Sequence, residues 1–202
     1  TSGRTSNEAA FLYQLFVREY GTNNMPDCSN MCHESSGVAL TDTLGIGKGS
    51  VKLEDFYETE VILILGQNPG TNHPRMLSAL KKAKENGATI ISINPIIETG
   101  LLNFSNPQEI KGALGIKSKL TDLYLQVKIN GDMALLQALV KLMLLEEDKD
   151  PGAVFDLDFI KQETQGFEDY LTHIRTLDLN NLIEECGIPL QTLQSVSNIL
   201  CN

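Results

Sequence analysis

The segment Asp27-Cys28-Ser29-Asn30-Met31-Cys32-His33 sets a thiol directly beside an imidazole. A cysteine thiolate is a soft ligand for a transition metal. A histidine next to it is placed to take a proton from a substrate bound there. Further along stands Gly66-Gln67-Asn68-Pro69-Gly70-Thr71-Asn72-His73-Pro74. It follows an apolar strand pattern and precedes a helical one, which is where α/β proteins hold phosphate groups. Gly66 and Gly70 permit close backbone approach, and Asn68, Thr71 and Asn72 can donate hydrogen bonds to phosphate or ribose oxygens. Together the two segments point to a redox metal held by cysteine and a site for a nucleotide-containing cofactor.

Plainer readings compete with each of these. Cys28-x3-Cys32 could be half of a zinc site, but zinc needs four ligands, and Cys186 and Cys201 sit in apolar helical stripes. It could be a redox dithiol, although C-x-x-C is the usual spacing, or a pair of buried core cysteines. The Gly66 segment lacks the G-x-G-x-x-G fingerprint and could be only a sharp strand-to-helix turn. Ile93-Asn94-Pro95 ends the neighbouring strand on the same edge, where an asparagine could bind a ribose or a guanine edge. Gly45-Ile46-Gly47-Lys48-Gly49-Ser50 has neither the Walker spacing nor its ending and reads as a mobile surface loop. His73 reads as a helix cap, His173 as a surface residue, and Lys81, Lys82 and Lys84 as a solvated helix face.

These residues need elements to position them. Thr5-x-x-Glu8 has capping-box spacing, and the apolar residues from Ala9 to Val17 recur at helical period, so a helix is predicted to about Tyr20, ended by Gly21. A second helix begins near His33 or Glu34. Val61–Leu65 and Thr89–Ile93 are continuous apolar runs of the kind found in parallel strands buried on both faces. The helix between them has Pro74 at its first position and buries Met76, Leu77, Ala79, Leu80 and Ala83. Residues 97–121 read as irregular. Leu123–Val127 is a third strand candidate, Asn130-Gly131-Asp132 a turn and N-cap, and Met133–Glu146 an apolar helix on the sheet. Three or four short helices follow, over Leu157–Lys161, Gly166–Thr176, Leu179–Cys186 and Leu190–Leu200. The expected fold is an α/β three-layer sandwich, with a mostly parallel, Rossmann-like sheet flanked by helices.

The chain has 202 residues, 42% of them hydrophobic, and a formal net charge of −10. That argues against sequence-independent nucleic-acid binding, which needs a basic footprint, and against an anionic membrane surface. No apolar stretch is long enough to span a bilayer. Four cysteines are too few for a disulfide scaffold in a chain of this size, so the expected compartment is the cytoplasm. The helical patterns at both ends suggest a piece of a larger protein.

In one order, Ser2-Gly3-Arg4, Asn7-Glu8, Gly21-Thr22-Asn23-Asn24, Cys32-His33, Gly66-x-Asn68-Pro69-x3-His73-Pro74, Asn86-Gly87-Ala88 and Asn94-Pro95 resemble the catalytic subunit of molybdopterin-dependent oxidoreductases, in particular the formate dehydrogenase alpha-subunit group. Asn130-Gly131-Asp132 and Gly166-Phe167-Glu168-x-Tyr170 extend the resemblance. It implies a cofactor of molybdenum with bis-molybdopterin guanine dinucleotide. Cys32 stands at the metal-ligating position and His33 at that of the proton acceptor in formate oxidation. Gly66, Asn68, Thr71, Asn72, Ile93, Asn94, Gly131 and Asp132 stand at positions contacting the dinucleotide. Glu34 departs from the usual glycine, and Asn94 and Ile96 from a common Asp and Arg. The family's active-site arginine is not in the chain. A [4Fe–4S] cluster in the intact protein is compatible with the resemblance, but no ligands for one stand here. The implied organisation is an N-terminal helix, residues 1–25, belonging to a neighbouring domain of the intact protein, then a cofactor-binding α/β domain over 26–202. The isolated piece is expected to be inactive. Its partners would be the remainder of its own polypeptide, a small substrate such as formate, and an electron-transfer subunit. The reading of another class is a nucleotide-binding or regulatory module without redox chemistry.

Overall fold

A computed structural model describes residues 5–26, 30, 32–104 and 118–201. The chain divides into two compact units, Thr1–Lys52 and Leu53–Asn202.

In the first unit, helix α1 (Asn7–Glu19) is capped by Ser6, whose hydroxyl accepts from the Ala9 N–H at 3.3 Å. The capping role therefore falls one residue later than Thr5. Most of the expected apolar face is open: Val17 is buried, while Leu12, Tyr13, Leu15 and Phe16 are exposed. Helix α2 (Glu34–Leu44) ends at Gly45, whose φ of 76° is the left-handed cap conformation that glycine adopts without strain. The glycine-rich stretch after it is not a simple free loop. A Cβ on Gly47 would sit 2.9 Å from Thr41 Oγ1 and 3.1 Å from the Gly37 carbonyl, so the chain folds back onto α2 at a point only glycine fits.

The second unit is a three-layer sandwich. After the short helix α3 (Asp55–Glu58), strands β1 (Val61–Leu65) and β2 (Thr89–Ile93) pair in parallel, Val61 opposite Thr89 through Leu65 opposite Ile93. Their crossover carries α4 (Pro69–Asn72) and α5 (Met76–Glu85). Helix α6 (Thr99–Leu102) leads into β3 (Asn103–Phe104), which pairs antiparallel with β4 (Ser118–Lys119). Strand β5 (Leu123–Leu125) then joins β2 in parallel, giving the order β1-β2-β5.

The period of two in a strand sends alternate residues to opposite faces. Ile62, Ile64 and Ile90 pack with Leu77, Leu80 and Ala83 of α5. Ile91, Ile93 and Leu125 pack on the other face with α7 (Asp132–Glu147), α10 (Leu179–Cys186) and α11 (Leu190–Cys201). Between α7 and α10 come α8 (Leu157–Glu163) and α9 (Phe167–Thr176). The α/β fold with a parallel sheet is therefore as expected, and so are the four C-terminal helices.

Three local readings are corrected. Pro74 does not open α5; it precedes the N-cap Arg75, and Pro69 takes the first-turn position of α4 instead. The span 97–121 contains α6 and the small β3–β4 ladder, whose pairs join residues too far apart to leave a local pattern. The lysines of α5 are partnered: Lys81 pairs with Glu85 at 3.4 Å, Lys82 lies 3.9 Å from the Tyr57 ring centroid, and Lys84 pairs with Asp122. Cys28, the Ser2-Gly3-Arg4 element and the punctuation at Pro107, Gly112 and Gly115 lie outside the described residues. Among the described residues, no helix is long and apolar enough to cross a membrane.

Candidate functional site

Three parallel strands deliver three connections to one edge of the sheet, at their carboxyl ends. The first is the turn after β1. Gly66 has φ 63° and its N–H donates to the Ile93 carbonyl at 2.9 Å. A side chain there would be strained in the left-handed region. Asn68 caps α4, its Oδ1 accepting from the Thr71 N–H at 3.2 Å. Its amide nitrogen donates to Glu98 Oε2 at 2.7 Å. Thr71 and Asn72 are exposed. The close approach that Gly70 allows is made by the chain itself: a Cβ on Gly70 would lie 2.8 Å from the Gly100 Cα.

The second connection follows β2. Ile93 is fully buried, and its carbonyl receives Gly66, so its side chain supports the edge from beneath. Asn94 is only 7% exposed. Its backbone N–H donates to the Leu125 carbonyl at 3.1 Å, and its side-chain amide donates to the Gln67 carbonyl at 2.9 Å. Asn94 thus braces the first turn. Tyr124 and Gln126 reach back from β5 and its end: the tyrosine hydroxyl donates to the Ile96 carbonyl at 2.6 Å and accepts from the Glu98 N–H at 3.2 Å, and Gln126 Nε2 donates to the Pro95 carbonyl at 3.0 Å.

The third connection follows β5. Asn130 has φ 67°, alone among the described non-glycine residues in the left-handed region, where asparagine is tolerated. Gly131 then starts α7, and Asp132 lies in its first turn. A Cβ on Gly131 would come 2.9 Å from the Cys186 Cα and 3.0 Å from the Glu185 carbonyl. The glycine therefore lets the start of α7 sit against the end of α10.

In the first unit, Cys32 is an exposed free cysteine and His33 is exposed beside it. His33 is the N-cap residue of α2 through its backbone, accepting the Gly37 N–H at 2.8 Å, and its imidazole makes no capping bond. Among the described residues no group of three or more His, Cys, Asp or Glu side chains is arranged to hold a metal, so the half-zinc-site reading of Cys32 gains no further ligands there. Cys186 is buried, as its stripe predicts.

A sequence profile of the molybdopterin oxidoreductase family matches residues 1–154. The chain belongs to this family. It is 52% identical over 200 residues to an uncharacterized oxidoreductase of Mycobacterium tuberculosis, covering 99% of this chain and 26% of that protein. It is 30% identical to the assimilatory nitrate reductase catalytic subunit of Bacillus subtilis, over 97% of this chain and 25% of that one. It is 27% identical to the F420-dependent formate dehydrogenase subunit alpha of Methanocaldococcus jannaschii, over 100% and 27% respectively. The chain thus spans about a quarter of the length of the relatives it matches. Acetylene hydratase from Pelobacter acetylenicus shares the fold, with a TM-score of 0.63 and 18% identity over 92% of this chain and 22% of that structure.

Membership in a molybdopterin oxidoreductase family implies a molybdenum–pterin cofactor, and the residues present suit one. Cys32 offers an exposed sulfur of the softness such a metal takes. Gly66, Thr71 and Asn72 offer exposed backbone, hydroxyl and amide groups at a strand end. The residues that sequence reasoning missed are Glu98, Gly100, Tyr124 and Gln126. Each acts on a partner 26 to 31 residues away or, for Gly100, on Gly70. Such pairs leave no periodic trace.

Proposed function

We propose that this chain is part of the catalytic subunit of a molybdenum-bis(molybdopterin guanine dinucleotide) oxidoreductase, formate dehydrogenase-like, that oxidises formate to carbon dioxide. The observation that carries the reading is the convergence of the Gly66–Asn72, Ile93–Asn94 and Gly131–Asp132 segments on the carboxyl edge of one parallel sheet. Open α/β sheets bind their ligands there. The bound cofactor would supply the two-electron redox chemistry. Cys32 would hold its metal, as a thiolate. Formate loses one proton and two electrons on becoming carbon dioxide, and His33, adjacent to Cys32 with an imidazole that caps nothing, would accept the proton. Gly66, Asn68, Thr71 and Asn72 would seat the dinucleotide. Ile93 and Asn94 would hold the shape of that edge, and Gly131 and Asp132 would close its far side.

On this reading the first 25 residues belong with a neighbouring domain and 26–202 form the cofactor domain. The chain works with the remainder of its polypeptide in the cytoplasm and passes electrons to a partner subunit. By itself it is inactive.

The test is the full-length polypeptide, wild type and Cys32→Ala, made in cells that produce the cofactor. Molybdenum content is measured, and formate oxidation is assayed with an artificial acceptor. Near-stoichiometric molybdenum with formate oxidation, both lost in the variant, is the expected result. Nitrate reduction in place of formate oxidation would keep the metal role and replace the substrate. A wild-type protein without molybdenum would sink the enzyme reading and leave a nucleotide-binding module.

A further inference from the structure

We propose that Glu98, held by Tyr124, is the positioning residue that fixes the Gly66–Asn72 turn in its working shape. The predicted effect on cofactor loading rests on the molybdenum–pterin reading; the effect on the turn does not.

The argument starts at the Asn68 amide, whose two ends have opposite hydrogen-bonding character. Its oxygen accepts the Thr71 N–H at 3.2 Å and its nitrogen donates to Glu98 Oε2 at 2.7 Å. A carboxylate can only accept, so Glu98 dictates which way round the amide sits. Without that acceptor only the Thr71 N–H still orients the amide, and each flip would point its N–H2 at that N–H, donor against donor. The first turn of α4 would then lose its cap, and with it the orientation of Thr71 and Asn72.

Glu98 is itself held. Its N–H donates to the Tyr124 hydroxyl at 3.2 Å, and that hydroxyl donates to the Ile96 carbonyl at 2.6 Å. Tyr124 belongs to β5 and packs against the core on the α5 face. The relay therefore runs from the sheet through Glu98 to Asn68 and ends at the Thr71 N–H. Its span is set by backbone contact. A Cβ on Gly100 would lie 2.7 Å from the Gly70 Cα and 3.2 Å from its nitrogen, so α4 and α6 meet where no side chain fits. Both Asn68 and Glu98 are partly buried, where water competes less for a bond to a charged acceptor.

The experiment uses the full-length polypeptide made in cells that produce the cofactor, as wild type, Glu98→Ala, Glu98→Gln and Tyr124→Phe. Hydrogen exchange across 66–73, molybdenum per chain and melting temperature are measured. In Glu98→Ala, exchange at this segment accelerates about tenfold or more, the factor expected on losing a hydrogen bond to a charged group, and molybdenum falls several-fold. Glu98→Gln, whose amide oxygen still accepts from Asn68, restores most of both. Tyr124→Phe accelerates the same segment by less. Unchanged exchange in Glu98→Ala and Tyr124→Phe overturns the proposal. So does loss of molybdenum with unchanged exchange, since Glu98 would then touch the ligand itself. Equal acceleration in the alanine and glutamine variants would overturn the acceptor argument. If Glu98→Ala does not fold, Tyr124→Phe decides by the same exchange measurement. A wild type without molybdenum sinks the proposed function, and the exchange comparison still decides the role of Glu98.

Discussion

Glu147, in the last turn of α7, shows how one carboxylate organises a loop. It is 7% exposed and accepts the N–H groups of Gly152, Val154 and Phe155 at 2.5, 2.9 and 3.1 Å. The Gly152 and Val154 bonds, with help from Phe155, hold its carboxyl below the ordinary glutamate range against the opposing effect of burial. A carboxyl whose folded pKa is depressed stabilises the fold above its unfolded pKa and loses that contribution as pH falls through the folded value. Glu147→Gln keeps one acceptor oxygen and removes the charge. The 202-residue chain should therefore melt lower than wild type near neutral pH, and the gap should close in acid, below the unfolded glutamate pKa of about 4.3. Thermal melts across pH check this. A gap that persists unchanged into acid would mean that the glutamine fails by shape alone and charge contributes nothing. Glu147 is also a lesson in legibility. Its helix was readable from apolar spacing, but a glutamate beside Glu146 and Asp148 looks like any solvated acidic end. Only the return of the chain at 152–155 makes it a loop anchor.

At the scale of elements, the apolar runs of β1 and β2 and the period of α5 were legible because burial on both sheet faces leaves no polar alternation. The Gly66 and Asn94 turns were legible because they end those runs. Less legible was what the glycines are for. Gly70 suggested room for a ligand and is in fact where Gly100 lies; Gly131 suggested a cofactor loop and also permits the docking of α10. Of the three atoms met by a Cβ at Gly131, the Cys186 Cα and the Glu185 carbonyl are backbone of a helix fixed in the core, and the Lys128 carbonyl is backbone too. They cannot yield as a flexible side chain would. Gly131→Ala should thus cost about 1–3 kcal/mol, the range for overpacking a filled site. Gly49→Ala, where nothing lies within 4 Å, should change stability by less than about 0.5 kcal/mol. Denaturation midpoints of the two variants make the comparison, and equal midpoints would refute the packing role of Gly131.

For the whole molecule, the organisation is that of two compact units, Thr1–Lys52 and Leu53–Asn202. The second unit owns the three-stranded sheet and both described core clusters, so its opening requires breaking a core. Residues 43–55 are exposed throughout, and the last of the first unit's described elements, α2, ends at Leu44. Proteases cut where backbone can leave its surroundings locally, without global unfolding. Lys48 and Lys52 offer trypsin two sites in that exposed stretch, whereas Lys81, Lys84 and Arg175 lie on helices of the second unit. Limited trypsin digestion of the 202-residue chain should therefore cut first after Lys48 or Lys52 and accumulate a product that begins at Gly49 or Leu53 and retains the sheet and α7 to α11. Mass spectrometry of the early products reads this directly. A first cut inside 53–202, with no lasting product of that span, would show that the sheet unit does not hold together without the segment before it.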